Sequence, residues 1–204
     1  MASANSNSPE YLLILDFEAT CDLEKTPSPQ EIIEFPTLLY NIKERKIESI
    51  FHHYIRPDVH PEISDFCTEL TGITQEQADN GISLHDALIK HVAWLEENGI
   101  CLNESPPPFV YLTNGDWDLK TCLRKQLGTS IPPHFRQWIN VKKEFSKLYN
   151  ARCTGMTFML DSLDLELEGR HHSGIDDTKN IARICTAMLN DGWTPIIPER
   201  NDIT

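Results

Sequence analysis

Residues 11–15, Tyr-Leu-Leu-Ile-Leu, form an unbroken apolar run that ends in two carboxylates, Asp16 and Glu18. A short run without alternation suits a strand covered on both faces, so helices are expected on either side of the sheet that holds it. In extended backbone Asp16 and Glu18 project the same way, roughly 7 Å apart along the strand, while Phe17 points away. Two anions facing one spot repel, and one carboxyl is pushed upward unless a cation sits between them. Taken alone, the pair reads more simply as solvated acids at a strand end. Further acids must converge on it before a metal is implied.

The rest of the chain supplies the sheet and its cover. "EIIEFPTLLYNIKERKIESIFHHYIRP" predicts two strands around the polar turn "KERK", close enough to pair antiparallel, with Pro36 at a bulge or an edge. One of the adjacent His52 and His53 should then face solvent. "SLHDALIKHVAWLEENG" predicts a helix opened by a Ser83 and Asp86 capping box, buried along Leu84, Leu88, Val92 and Leu95, and stopped at Gly99. "SPPP" is a loop, "FVYLT" a fourth strand, "DLKTCLRKQLG" a helix ending at Gly128, and "WINV" a short fifth strand. After "KKEFSKLYN" come a helical "MTFMLDSLDLEL" and a long helix over "GIDDTKNIARICTAMLNDG", buried along Ile181, Ile184, Cys185 and Met188. Three strands followed by strands alternating with helices predict an α/β domain with a mixed sheet of about five strands.

A chain of 204 residues with 40% hydrophobic content suits one domain, over residues 10–194, between a loose N-terminal stretch 1–9 and a C-terminal tail 195–204. "MASANSNSPE" has no apolar run of a secretory signal or membrane span, so an intracellular protein is expected, cytoplasmic or nuclear or both, with no membrane partner. The six cysteines contain no C-x-x-C pair, against a zinc knuckle or a disulfide framework. With 18 basic and 31 acidic residues the net charge is −13, which disfavours non-specific adhesion to a nucleic-acid backbone or an anionic membrane. Any nucleic acid must be held some other way.

Acids recur at element ends. "VYLTNGDWDLK" places Asp116 and Asp118 where a helix begins, and for one of them helix capping is the plain explanation. "HHSGIDDTKN" places His171, His172, Asp176 and Asp177 at the start of the last helix. Active sites of open α/β sheets gather at such ends, so three coincidences favour a shared cleft over three independent caps.

"DFEAT", "DWD" and "HSGIDD" resemble the three motifs of the DEDDh 3′-to-5′ exonucleases, which have an RNase H-like fold. "DFEATC", "EIIEFP", "SDFCTELTGIT", "WIN" and "SGIDDTKNIARI" resemble the histone-mRNA 3′ exonuclease or enhanced-RNAi branch, over Tyr11 to Trp193. The resemblance implies two-metal hydrolysis that releases nucleoside 5′-monophosphates from RNA 3′ ends. Its metal ligands would be Asp16, Glu18, Asp118 and Asp177, holding two Mg²⁺ or Mn²⁺ ions roughly 4 Å apart, one activating water and one steadying the leaving oxygen. Asp118 is preferred to Asp116 because the family's acid follows the aromatic position, here Trp117. His172 has the H-x-x-x-x-D spacing to Asp177 and would be the general base; His171 is one residue too far, and Asp176 is a neighbour that caps the helix.

The same resemblance places Trp117 and the stretch Leu70, Thr71, Gly72 and Ile73 around the terminal nucleotides, with Phe17, Ala19 and Thr20 beside them. As residues alone, Leu70 and Ile73 read equally well as core. Lys120, Arg124, Lys179 and Arg183 can guide the backbone, although solvated surface is the plainer reading for each singly. A DNA-directed exonuclease shares the catalytic set, and a binding module that holds ends without cleaving is the reading from another class. The complete set of four acids and a histidine argues against the latter. Members of the branch often carry an additional nucleic-acid-binding domain, for which this length leaves no room, so a protein partner that delivers the RNA is expected. The oligomeric state is left open.

Overall fold

The computed structural model describes residues 8–199. Six strands make one mixed sheet: β1 (Tyr11–Leu15), β2 (Glu18–Ala19), β3 (Ile32–Asn41), β4 (Lys46–Tyr54), β5 (Phe109–Thr113) and β6 (Trp138–Asn140). The order across it is β4-β3-β1-β5-β6, with the two-residue β2 resuming the line of β1 along β3. This short resumption is the strand that the apolar pattern did not separate. β1 is antiparallel to β3 and parallel to β5, which is parallel to β6, so β1 and β5 deliver their C-terminal ends to one side of the sheet.

Helices cover both faces, as the unalternating strands require. Leu13 and Leu15 of β1 enter one core with Phe35, Tyr111 and helix α3 (Leu84–Glu97). Leu12 and Ile14 enter the other with α5 (Val141–Tyr149), α6 (Met156–Ser162) and α7 (Gly174–Asn190). The expected stripe of α7 is buried in full. Two short helices, α1 (Asp65–Thr71) and α2 (Gln75–Asp79), line the end of β3 and β4, and the former stops at Gly72 with φ 80°, a left-handed turn where glycine costs nothing. Among the described residues no helix is long and apolar enough to cross a membrane.

Several expectations shift. Pro36 is neither at an edge nor at a bulge: it pairs with His52 in β4, and on its other side lies the gap between Leu15, opposite Thr37, and Glu18, opposite Glu34. A residue without an N–H fits where the ladder is already interrupted. In α3 the buried line is Ala87, His91, Trp94 and Leu95, with Leu84 and Leu88 at its flank, because the helix is rotated to bring His91 under the sheet. The run after Asp118 is a π-helix over Asp118–Leu123 that tightens into α4 (Arg124–Leu127). α6 stops at Ser162, followed by Asp164 at φ 52°, so the helical run expected to Leu167 is cut short. The supposed tail is docked as far as it is described: Ile197 is 5% exposed in the second core, and Gln137 Nε2 donates to the Pro198 carbonyl at 3.1 Å. Residues 1–7 and 200–204 of the expected termini lie outside the described residues.

His91 is fully buried, and among the described residues neither ring nitrogen has a hydrogen-bond partner. Its ring lies 4.9 Å from that of Phe51 and 5.1 Å from that of Phe35, and burial lowers its pKa to about 3. An unfolded histidine takes up a proton near pH 6.5, so acidification below that value favours the unfolded chain until the folded pKa is reached. The fall in thermal midpoint between pH 7 and pH 5 should therefore be smaller in His91→Leu than in the unaltered protein, by about 2 °C or more. Equal falls would show that the ring is protonated or solvated in the folded state.

Candidate active site

Three chain segments meet where β1 and β5 end. The break after Leu15 leaves Asp16 and Glu18 at the end of β1, and the ligand oxygens of Asp16, Glu18 and Asp177 lie within 4.8 Å of one another. Asp118 starts the π-helix after β5; it is 3% exposed, and its Oδ1 accepts the main-chain N–H of Phe17 at 2.9 Å. π-helical turns of this kind often occur at functional sites. Asp177 stands in the first turn of α7, and its Oδ2 accepts the His172 N–H at 3.0 Å.

What brings α7 onto the strand end is a glycine. A Cβ on Gly174 would come within 2.6 Å of the Asp16 carbonyl oxygen, so the helix reaches the strand only because that atom is missing. Glu34 completes the junction. Buried in β3, it accepts Gly174 N–H at 2.9 Å and Ile175 N–H at 3.2 Å, and His52 Nε2 lies 2.7 Å from its Oε1. A carboxylate there satisfies the free N–H groups of the helix start and complements its dipole. Sequence reasoning missed this fifth acid, although a charge inside the apolar run Ile32–Tyr40 was a signal. It also missed Arg170, which bonds to the Glu69 carbonyl and lies against Gly72, tying the histidine loop to the end of α1.

The four expected acids are energetically uncomfortable as they stand. Burial, then Asp118, Glu18 and Asp177, pushes Asp16 well above the carboxylate range. Burial and Glu34 carry Glu18 to about 9. Burial takes Asp177 to about 7 against the His172 N–H, and Asp118 to about 6 against the Phe17 N–H. In addition, Asp177 Oδ1 is buried with no hydrogen-bond partner among the described residues. Hard oxygen donors, mutual repulsion and an orphaned acceptor fit a small divalent cation.

Both histidines come to the same place. The rings of His171 and His172 stack at 3.9 Å, and one ligand atom from each lies within 4.8 Å of an Asp177 oxygen. His171 Nε2 is 3.9 Å from Asp177 Oδ2, whereas His172 is the more exposed and has φ 65°. Burial lowers the pKa of each, and His171 lowers His172 further. Neutral rings result, as a proton acceptor requires.

Other sequence candidates fall into two groups. Trp117 is 38% exposed and Gly72 is exposed, with Leu70 half-buried, so these can face a ligand. Phe17, Ala19, Thr20, Thr71 and Ile73 are buried: Phe17 packs on Phe35 at 4.9 Å, Thr20 Oγ1 accepts from Glu31 N, and Thr71 Oγ1 bonds to the Cys67 carbonyl. Of the acids of "DWD", Asp116 accepts Trp138 Nε1 at 3.0 Å and Lys143 Nζ at 2.7 Å. Asp176 holds the preceding turn by accepting Arg170 N–H at 3.0 Å.

A mixed sheet of this order with carboxylates gathered at the ends of β1 and β5 and on the last helix defines an RNase H-like nuclease architecture. The family model RNase_T, described as exonuclease, matches residues 13–185, and the chain belongs to this exonuclease family, in its metal-dependent DEDDh group. It is 40% identical over 199 residues to human 3′-5′ exoribonuclease 1, covering 94% of this chain and 56% of that protein. Human ERI1 exoribonuclease 3 is 43% identical over 202 residues, covering 95% of this chain and 58% of that protein. The nuclease domain of 3′hExo, a DEDDh family member bound to rAMP, superposes with TM-score 0.86 at 39% identity, over 94% of this chain and 98% of that one. The 3′-exonuclease in 3′-end specific recognition of histone mRNA stem-loop gives TM-score 0.86 at 36% identity, over 95% and 87%. The chain thus spans little more than half the length of these curated relatives.

The raised pKa of Glu18 carries a pH signature. Because its folded pKa lies above its unfolded value near 4.3, the native state holds the extra proton between them, and stability falls as pH rises toward about 9. In chelator, the thermal midpoint should fall between pH 7 and pH 8.5, and Glu18→Gln should lessen that fall by about 2 °C or more. Identical slopes would mean that the cluster is already ionised at pH 7. A second outcome tests the helix junction: Gly174→Ala should cost roughly 1–3 kcal/mol in chemical denaturation, since the displaced groups are main chain and a carboxylate.

Proposed function

We propose that this protein is a 3′-to-5′ exoribonuclease that removes nucleoside 5′-monophosphates one at a time from RNA 3′ ends. The observation that carries the proposal is the convergence of Asp16, Glu18, Asp118 and Asp177 at one sheet end with His171 and His172 beside them. Likeness to exoribonucleases over most of the chain supports the RNA preference, as does the neighbour bound to rAMP. DNA ends remain the competing substrate for the same catalytic set.

In this reading Asp16, Glu18, Asp118 and Asp177 hold two Mg²⁺ or Mn²⁺ ions. When bound, such ions would supply positive charge at the scissile phosphate and lower the pKa of a water there. Glu34 and Gly174 keep Asp177 against Asp16 and Glu18. His172, neutral and exposed on its loop, accepts the proton of the attacking water at a ring nitrogen. Trp117 stacks on a terminal base. Leu70 and Gly72 close the other wall, held by Arg170. A protein partner for delivery and a cytoplasmic or nuclear location belong to the same proposal; six free cysteines support a reducing compartment.

The test is one RNA sequence labelled at the 5′ end, at the 3′ end, or closed into a circle, incubated with Mg²⁺ or Mn²⁺. Single-nucleotide shortening from the 3′ end, nucleoside 5′-monophosphate as product and survival of the circle are expected. A cleaved circle would point to internal cutting and sink the assignment, and faster loss of the DNA counterpart would reverse the substrate preference.

His172→Ala should lower kcat by about 100-fold or more with a much smaller change in KM, because a general base acts in the transition state. His171→Ala should matter less. The reverse ranking would assign the proton to the ring that lies 3.9 Å from Asp177.

A further inference from the structure

Of the four cations that the sequence offered as guides for a nucleic-acid backbone, two are already engaged. Lys179 Nζ lies 3.4 Å from Asp176, and Arg183 is 3.2 Å from Glu168. Lys120 and Arg124 are placed differently. Together with Lys125 and Arg136 they line an open groove of about 700 Å³ floored by Ile131. No carboxylate lines it, and none of the four forms an ion pair among the described residues.

Four unpaired cations around one groove repel one another, and in a chain of net charge −13 acids were abundant enough to neutralise them. The groove is also built firmly. Arg136 Nη2 donates to the Ile131 carbonyl at 3.1 Å, and Gln126 Oε1, on the same helical run, accepts Ile32 N–H of β3 at 2.8 Å. That run begins with Asp118, whose carboxylate belongs to the acid cluster. Arg124 lies six positions further on, at most about 9 Å, since the π-helical turn advances less per residue than the 1.5 Å of an α-helix. A stacked strand carries a phosphate about every 3.4 Å, so a strand leaving the cluster along this run reaches the cations within roughly three nucleotides.

We propose that this groove binds the phosphate backbone of the RNA strand upstream of the 3′ end. The proposal rests on the exoribonuclease reading and extends it: the acid cluster takes the terminal nucleotide, the exposed Trp117 offers a stacking face, and the basic groove holds phosphates from about the third onward. The protein then has an electrostatic grip of its own on single-stranded RNA despite its net charge, confined to one face.

The test is fluorescence anisotropy with 5′-labelled RNAs of 3 and 12 nucleotides, Ca²⁺ replacing Mg²⁺ to suppress turnover, over a range of monovalent salt. The 12-mer should bind at least tenfold more tightly than the trimer at low salt. In Arg124→Gln/Lys125→Gln that ratio should shrink at least fivefold. The slope of log affinity against log salt should become shallower by about 1.4, at 0.7 per lost phosphate contact on a single strand. Arg124→Lys should retain the slope, because charge is what matters. Matching circular-dichroism melts establish that the variants fold, and single Lys125→Gln serves if the double variant does not. A length advantage and salt slope equal to those of the unaltered protein would overturn the proposal, whether the groove is idle or serves an acidic protein. Turnover of the trimer in Mg²⁺ is scored separately: its absence counts against the exoribonuclease assignment, whereas turnover without a length effect overturns the groove alone.

Discussion

The N-terminus of α7 lies so close to the end of β1 that a single methyl group on Gly174 would meet the Asp16 carbonyl at 2.6 Å, and the candidate site depends on this approach. The ladder along β3 is interrupted between β1 and β2, and Pro36 lies opposite the gap where it has no N–H to lose. Glu34 then takes the first N–H groups of the helix. Each feature would be a defect in an ordinary sheet: a broken strand, a proline inside it and a buried carboxylate. Together they seat Asp177 beside Asp16 and Glu18.

Seating acids together is costly, and the cost shapes the chemistry. Burial raises all four carboxyls, and neighbouring acids add to it at Asp16, Glu18 and Asp177, so the cluster is primed to exchange protons for a divalent cation. Asp118 is restrained by the Phe17 N–H, and Asp177 by the His172 N–H. These bonds make the acids hold the backbone of the neighbouring motifs, so the first motif is tied to the second and the histidine loop to the last helix. The basic groove along the helical run that begins at Asp118 gives the molecule a polarity that its net charge conceals, with acids at the sheet end and cations along the adjoining helix.

Much of this was legible in the residues. Strand and helix types follow from apolar spacing over a few positions, and the acids of "DFE", "DWD" and "GIDD" were visible because each stands where a local pattern ends. Their shared location could be argued from the habit of open α/β sheets. The chemistry of the set could be argued from the preference of hard cations for oxygen. The buried stripe of α7 followed from the same spacing, whereas the buried line of α3 runs through His91 and Trp94, whose polar ring atoms keep them out of an apolar pattern.

The order of elements, the mixed sheet and the acids at their ends can therefore be read along the chain, since these depend on neighbours within a turn or a strand. Which of the flanking side chains stay exposed follows instead from the packed fold. It buried the side chains of Phe17, Thr20, Thr71 and Ile73, left Trp117 exposed, drew Glu34 to a helix start 140 positions away and set Arg136 beside Arg124. Burial, repulsion and the satisfaction of polar groups act between atoms close in space, and a one-dimensional pattern carries that proximity only where the chain itself is local.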